Sequence, residues 1–295
     1  MLHKNQFVSF MTLGIIILLL TTVGCATSMP IWGDPQTGLI LKYNIAQDQV
    51  LNYRNASDSN QTMDMMGQSM KTSTKFNMDY NIKGAGADDQ NNLLTQVSIN
   101  DFAINISSMQ GEMAPDTSRL KGKSFGVSFS PKGDEIEFTG IDDLPKIDFG
   151  QMSGGEQSVK RYFLDLLPNL SDDPIKVGGT WTDQNEYIIE QGPLELTLKG
   201  ETTSVLEGLE TIRGMECVRI KTQGKSTVEG SGNVMGNELN IKGDIDLTST
   251  WYFAYKKGLF VKASAEEDAD AIIEVGTMGE IPQVSKTNIE IDLVL

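Results

Sequence analysis

The chain has 295 residues, 24 basic against 40 acidic, and a formal charge of −16 at neutral pH. A balance this acidic argues against nucleic acid and anionic lipid headgroups as partners, because both would be repelled. It carries a single histidine, His3, and two cysteines, Cys25 and Cys217, so its equipment for nucleophilic or metal chemistry is small from the outset.

The first segment has the order of a secretory signal. Lys4 precedes an apolar run from Phe7 to Leu20, and small and hydroxyl residues then lead to Thr22-Val23-Gly24-Cys25. An uncleaved anchor is the competing reading. The run Phe7–Gly24, interrupted by Ser9, Thr12, Thr21 and Thr22, is short against the ~20 apolar residues of a spanning helix. The closing tetrapeptide resembles a bacterial lipobox, with Gly24 as the small residue at the cleavage site and Thr22 where the motif usually has leucine. That resemblance implies a signal peptide over 1–24 and a diacylglyceryl group on Cys25, with palmitate-type chains holding the mature protein to a membrane. Ala26, where an aspartate would mark inner-membrane retention, favours the outer membrane facing the periplasm.

Removal of residues 1–24 takes one of the 24 basic residues and none of the 40 acidic ones, so the mature charge is −17. It also takes His3. With Cys25 acylated, Cys217 is the remaining thiol, and Ser-His-Asp, Cys-His and histidine–zinc arrangements fall away. No disulfide can form within one chain, so stability must come from core burial. Cys217 lies in the strand-like Glu216–Ile220 and reads as a small buried hydrophobe. No cofactor and no metal site is called for.

Residues 25–38 read as a tether rich in turn formers, and a single antiparallel β domain follows over 39–295. Leu41, Tyr43 and Ile45 alternate with polar neighbours, as do Phe76, Met78, Tyr80 and Ile82, the pattern of strands with one buried and one wet face. The alternation of Leu93, Thr95, Val97 and Ile99 slips phase at Phe102, Ile104 and Ile106, which predicts a β-bulge near Asn100-Asp101. Phe125–Phe129 and Ile136–Phe138 flank Pro131-Lys132-Gly133-Asp134, a hairpin by pattern and by turn chemistry. Residues 141–174 read as a linker and one amphipathic helix. Ser153-Gly154-Gly155-Glu156 has capping-box spacing, and Val159, Tyr162, Phe163, Leu166, Leu167 and Leu170 follow at helical intervals, with Pro168 disturbing the last turn. Strand periodicity resumes after Gly178-Gly179-Thr180-Trp181 and includes a second hairpin, Trp251–Tyr255 and Leu259–Ala265, around Lys256-Lys257-Gly258. The chain is thus two similar halves, 39–140 and 175–295, joined by 141–174.

Candidate chemistry is sparse. Met63-Asp64-Met65-Met66-Gly67-Gln68-Ser69-Met70 admits three readings: simple packing in a hairpin around Gly67-Gln68, a pliable lining for apolar ligands, or thioether ligation of Cu(I). Packing is favoured, and copper least, because no histidine or accessible cysteine stands nearby. The acidic runs Asp88-Asp89, Asp142-Asp143, Asp172-Asp173 and Glu266-Glu267-Asp268 fall in predicted turns or strand ends, where Asp serves turn geometry, and a carboxylate hydrolase is disfavoured. Gly230-Ser231-Gly232 reads as a turn.

The expected fold is mainly β: a long, curved, half-barrel-like antiparallel sheet with one amphipathic helix packed on it. This layout, with the lipobox, resembles bacterial lipoproteins of the LolA/LolB type. It is equally similar to uncharacterised lipoproteins whose second half opens on a Gly-Gly-x-Trp turn. The resemblance implies a non-enzymatic carrier of a lipid or other apolar ligand. Phe76, Met78, Tyr80, Trp251 and Phe253 would line the hollow, and Tyr162 and Phe163 would cover it. The alternative is a structural or interaction lipoprotein of the cell envelope with no small-molecule ligand.

Overall fold

A computed structural model describes residues 32–295 except Met66, Gln110, 151–154, 192–193, 235–236 and 277–278; the signal, the lipobox and Cys25 lie outside the described residues. The strands are β1 (Gly33–Asp34), β2 (Gly38–Leu39), β3 (Val50–Met65), β4 (Gln68–Ala87), β5 (Leu93–Ser108), β6 (Gly111–Met113), β7 (Ser124–Phe129) and β8 (Glu135–Thr139). After β9 (Ile147–Asp148) and β10 (Glu156–Gln157) come β11 (Thr180–Gln191), β12 (Leu194–Ile212), β13 (Met215–Val234), β14 (Asn237–Ala254), β15 (Leu259–Val275) and β16 (Gly279–Val294).

Twelve strands form one open antiparallel sheet in the order β11-β12-β13-β14-β15-β16-β3-β4-β5-β7-β8, with β6 added beside β5. Each neighbour along β11–β16 is the next strand in the chain, so most of the sheet is a meander. The pairing of β16 with β3 brings both ends of the domain together in the middle of the sheet. Strands spaced ~4.8 Å apart would make a flat sheet of this size far wider than the core it covers. Instead the two edges meet one short segment: Trp181 of β11 donates its indole N–H to the Asn169 carbonyl (3.1 Å), and Glu135 of β8 accepts the Leu166 N–H (3.0 Å). The sheet is therefore rolled, and the described residues of 141–150 and 155–175 wedge the gap between its edges.

The expected bulge is present. Asp79 pairs with Asp101 and Tyr80 with Ile99, leaving Asn100 as the extra residue, and Asn81 donates its side-chain amide to the Asn100 side-chain oxygen at 3.2 Å. Both expected hairpins form, as β7–β8 and β14–β15. Leu41, Tyr43 and Ile45 are buried as an alternating strand would bury them, but this segment crosses the end of the roll instead of joining the sheet: Tyr43 N–H bonds Pro131 O and Asn44 N–H bonds Gly258 O. Within 32–38, part of the expected tether, Gly33-Asp34 pairs with Gly38-Leu39 and Trp32 packs on the core.

The amphipathic helix expected over 156–170 is absent. Glu156-Gln157 is strand β10, Lys160–Phe163 is a single 3-10 turn, and Asp165 adopts a left-handed φ of 57°. Pro168 has no N–H and disfavours helix at Leu167, which leaves too short a stretch to sustain itself. The sheet then claims the backbone groups a helix would use, Leu166 N–H going to the Glu135 carboxylate and Leu170 N–H to Lys132 O. The apolar residues read as a helical stripe are nonetheless buried, Val159, Phe163, Leu166, Leu167 and Leu170 among them, because a wedge between two edges must fill the space from either side. Lys132 fastens it, its ammonium donating to the carbonyls of Leu41, Ser171 and Asp172. Gly230-Ser231-Gly232, expected as a turn, lies inside β13.

Aromatic side chains fill this closed end. Tyr53 stacks between Tyr80 (5.5 Å) and Phe260 (5.8 Å), and Tyr43 meets Phe253 edge-on at 5.1 Å. The Tyr53 hydroxyl donates to the Phe260 carbonyl at 2.9 Å, fully buried. Tyr53→Phe keeps the ring and orphans that carbonyl, so a loss of about 1 kcal/mol, or roughly 2–4 °C in Tm, is expected in thermal melts. An unchanged Tm would show that the carbonyl is satisfied without the hydroxyl.

Candidate functional site

The long strands outrun the core. Along β14, Trp251 and Phe253 are buried, and the same face continues outward as Ser249, Leu247, Ile245, Gly243, Ile241 and Leu239, half-exposed throughout. Residues alternate in facing, so this row is the inner surface and Lys242, Asp244 and Asp246 form the outer one. Cross-strand pairing carries the inner row sideways, from Ile245 to Ala269 of β15, and through Val228 of β13 to Leu198 of β12. The result is an inner wall in which Leu, Ile, Val and Ala predominate, with Gly224, Ser226, Ser285 and Glu267 on the same face. Its curvature needs small residues at the crossings: a Cβ on Gly230 would sit 2.4 Å from Leu196 Cδ2. Outward, lysines pair with acids across strands, as in Lys225–Asp246 (2.8 Å) and Lys286–Glu266 (3.4 Å).

The seven residues expected to line the hollow all belong to or flank the filled end. Met78 and Tyr80 are 1% exposed and Phe163 and Phe253 0%; Phe76 and Trp251 are buried, and Tyr162 is partly so. Tyr162 stacks on Phe76 at 5.1 Å and meets Phe102 edge-on at 5.1 Å, while Phe163 packs on Phe125 at 4.8 Å. Both are part of the wedge, seated against the sheet. Free volume begins one layer further out.

There, a groove of about 590 Å³ runs between the wedge and the inner face of β3–β5. Met63 and Met70, directly paired across the hairpin, form part of its wall, and Met109 and Met113 of β6 join them. Ile104, Ile106, Phe149 and Tyr162 continue the apolar lining, and Gln157, Arg161 and Glu112 add polar groups. The sequence signals only the Met63–Met70 pair; Met109, Met113 and Arg161 arrive through tertiary structure. Thr72, Thr74 and Ser108 contribute hydroxyls at its margin.

Acidic groups converge beside the wedge. Tyr187 of β11 donates its hydroxyl to Asp165, and Glu135 faces the same region. Burial, with smaller help from Asp165, raises the Glu135 carboxyl to about 7 against the backbone N–H it accepts from Leu166. Burial likewise raises Glu267, with Asp165 adding to the shift, and Asp183, with Asp134 and Asp172 adding. Glu266-Glu267-Asp268, expected at a strand end, is interior to β15, and alternation sends Glu267 inward while Glu266 and Asp268 hold Lys286 outside. Asp88 serves its own turn, accepting the N–H groups of Gln90 and Asn92 and the Asn92 amide. Among the described residues no group of three or more His, Cys, Asp or Glu side chains could hold a metal ion. Cys217 is buried, and burial raises its thiol above the usual range.

No family model matches the chain, and no curated protein does. Among solved structures it is similar to an outer membrane channel from Pseudomonas putida, at 8% identity and a TM-score of 0.34 over 86% of this chain and 98% of that one. It is also similar to OmpT, an outer membrane protein of Vibrio cholerae, at 8% identity and a TM-score of 0.21 over 83% and 100% of the two chains. A third likeness, at 7% identity and a TM-score of 0.12 over 82% and 83%, is to a Vibrio parahaemolyticus domain named for outer membrane lipoprotein sorting. At these scores none of the likenesses bears on what this chain does.

Proposed function

We propose that the protein is a lipid-anchored component of the bacterial cell envelope, on the outer membrane facing the periplasm, that binds a lipid or other apolar ligand in its rolled sheet and catalyses no reaction. The observation that carries this reading is the inner wall of β12–β16. Leu196, Leu198, Ile241, Ile245, Leu247 and Ile273 are half-exposed on a surface curved toward itself, where burying an apolar ligand gains about 25 cal/mol per Å² of area removed from water. A purely structural role gives these strands no reason to extend an apolar face past the core, and several outward acids, Asp246, Glu266 and Asp268 among them, already have partners within the sheet. The lipobox-like Thr22–Cys25 supplies the membrane address, and acylation of Cys25 is read directly by mass spectrometry of the membrane-extracted chain.

The ligand is tested by solvent extraction of the protein purified in mild detergent. An apolar molecule is expected to co-purify with the native chain and to be lost from a Leu196→Asp, Ile245→Asp double variant. Both positions are half-exposed, so that variant should melt within a few degrees of the native protein. A native protein free of extractable ligand would overturn the proposal.

A further inference from the structure

Arg161 differs from the arginines that are ion-paired across the sheet. Arg54, Arg213 and Arg219 each hold a carboxylate. Arg161 is half-buried and has no carboxylate partner among the described residues. Its guanidinium lies 4.6 Å from the Tyr162 ring centre and 5.9 Å from that of Phe149, and it donates one N–H to the Tyr162 hydroxyl at 2.5 Å. Those contacts fix its plane at the mouth of the methionine-lined groove and leave further donors of its fork uncommitted. A cation held without an anion, beside a pliable apolar channel, is complementary to a ligand that supplies both.

We infer that this groove takes a single-chain anionic amphiphile, a long-chain carboxylate, with its chain along Met63, Met70, Met113 and Ile106 and its carboxylate on Arg161. The inference rests on the apolar-ligand reading of the roll and names the ligand class and its polar anchor. A monoanion fits better than a phosphate dianion, because Arg161 is half-buried in the groove while the other lining cation, Lys71 of β4, is exposed, and Glu112 adds a negative charge to the lining. The same cation disfavours Cu(I), which the four thioethers would otherwise invite. The groove volume, about 590 Å³, falls within the range of small-ligand sites.

The test uses isolated membranes holding the intact chain and two photoactivatable probes, a diazirine palmitate and the matching neutral diazirine alcohol, with labelled peptides mapped by mass spectrometry. Palmitate is expected to label 63–72 and 104–113 at least fivefold more than the alcohol. Arg161→Gln should bring palmitate down to the level of the alcohol and leave alcohol labelling unchanged, while Arg161→Lys keeps part of the preference. Equal labelling by both probes in the native chain would overturn the carboxylate assignment, as would a Gln variant that loses both probes together, since Arg161 would then only shape the groove. Labelling confined to β12–β16 would overturn the groove and leave the apolar-ligand reading standing. Absence of labelling anywhere on the inner face would overturn both.

Discussion

Gly84→Ala is expected to cost about 3 kcal/mol or more. Gly84 is locked on both sides: its N–H bonds Gln49 O and its carbonyl accepts the Asp48 N–H, each at 2.9 Å. A Cβ there would lie 2.1 Å from the Ala46 carbonyl oxygen and 3.1 Å from that of Ile45. Neither atom is free to retreat, because Ile45 is buried and its neighbours Tyr43 and Asn44 are tied to Pro131 and Gly258. Gly86, two residues on, separates space from conformation. It has a φ of +108° and nothing within 4 Å of an added Cβ, so Gly86→Ala should cost only backbone strain, about 1–2 kcal/mol. Denaturant melts of the two variants decide the point, and equal losses would show that the closed end tolerates the extra atom.

Glu135→Gln is expected to stabilise the protein at pH 8 and to leave it unchanged at pH 4. Burial raises the Glu135 carboxyl to about 7 in the folded state from an ordinary value near 4.5. Below 4.5 both folded and unfolded chains are protonated there and nothing is lost. Between 4.5 and 7 the unfolded chain releases a proton that the folded chain retains, so unfolding becomes easier as pH rises, and above 7 the full penalty stands. The full shift would carry roughly 3 kcal/mol, but the roll is open to water, and about 2 kcal/mol is the expected gain for the amide. Glutamine keeps an oxygen for the Leu166 N–H, so the wedge contact survives. Thermal melts from pH 4 to 8 should show the variant and native curves diverging as pH rises. Parallel curves would show that Glu135 is already ionised without cost.

The sequence reading went furthest where one physical signal dominates. Period-two alternation located the strands, and its slip between Ile99 and Phe102 located the bulge at Asn100. It failed over 156–170, where 3.6-residue spacing is also what a wedge needs to touch two sheet edges, and where Pro168 and the partners of Leu166 and Leu170 decide against a helix. The seven lining candidates show a second limit. Alternation tells which face Phe76, Met78, Tyr80, Trp251 and Phe253 take, but not how far along the strands the filling extends.

By itself, then, the sequence determined a β chain with an acidic balance of charge, no histidine beyond His3, and strands with one apolar face, since each follows from composition or local spacing. Only the tertiary structure decided where the core stops. The wedge, 141–150 and 155–175, fills one end of the roll and leaves Leu196, Ile245 and their neighbours uncovered. The same long-range contacts bring Arg161 to Met63 and Met113, and Glu135 to Asp165. Positions so far apart in the chain meet only because the sheet rolls, and no local pattern encodes that.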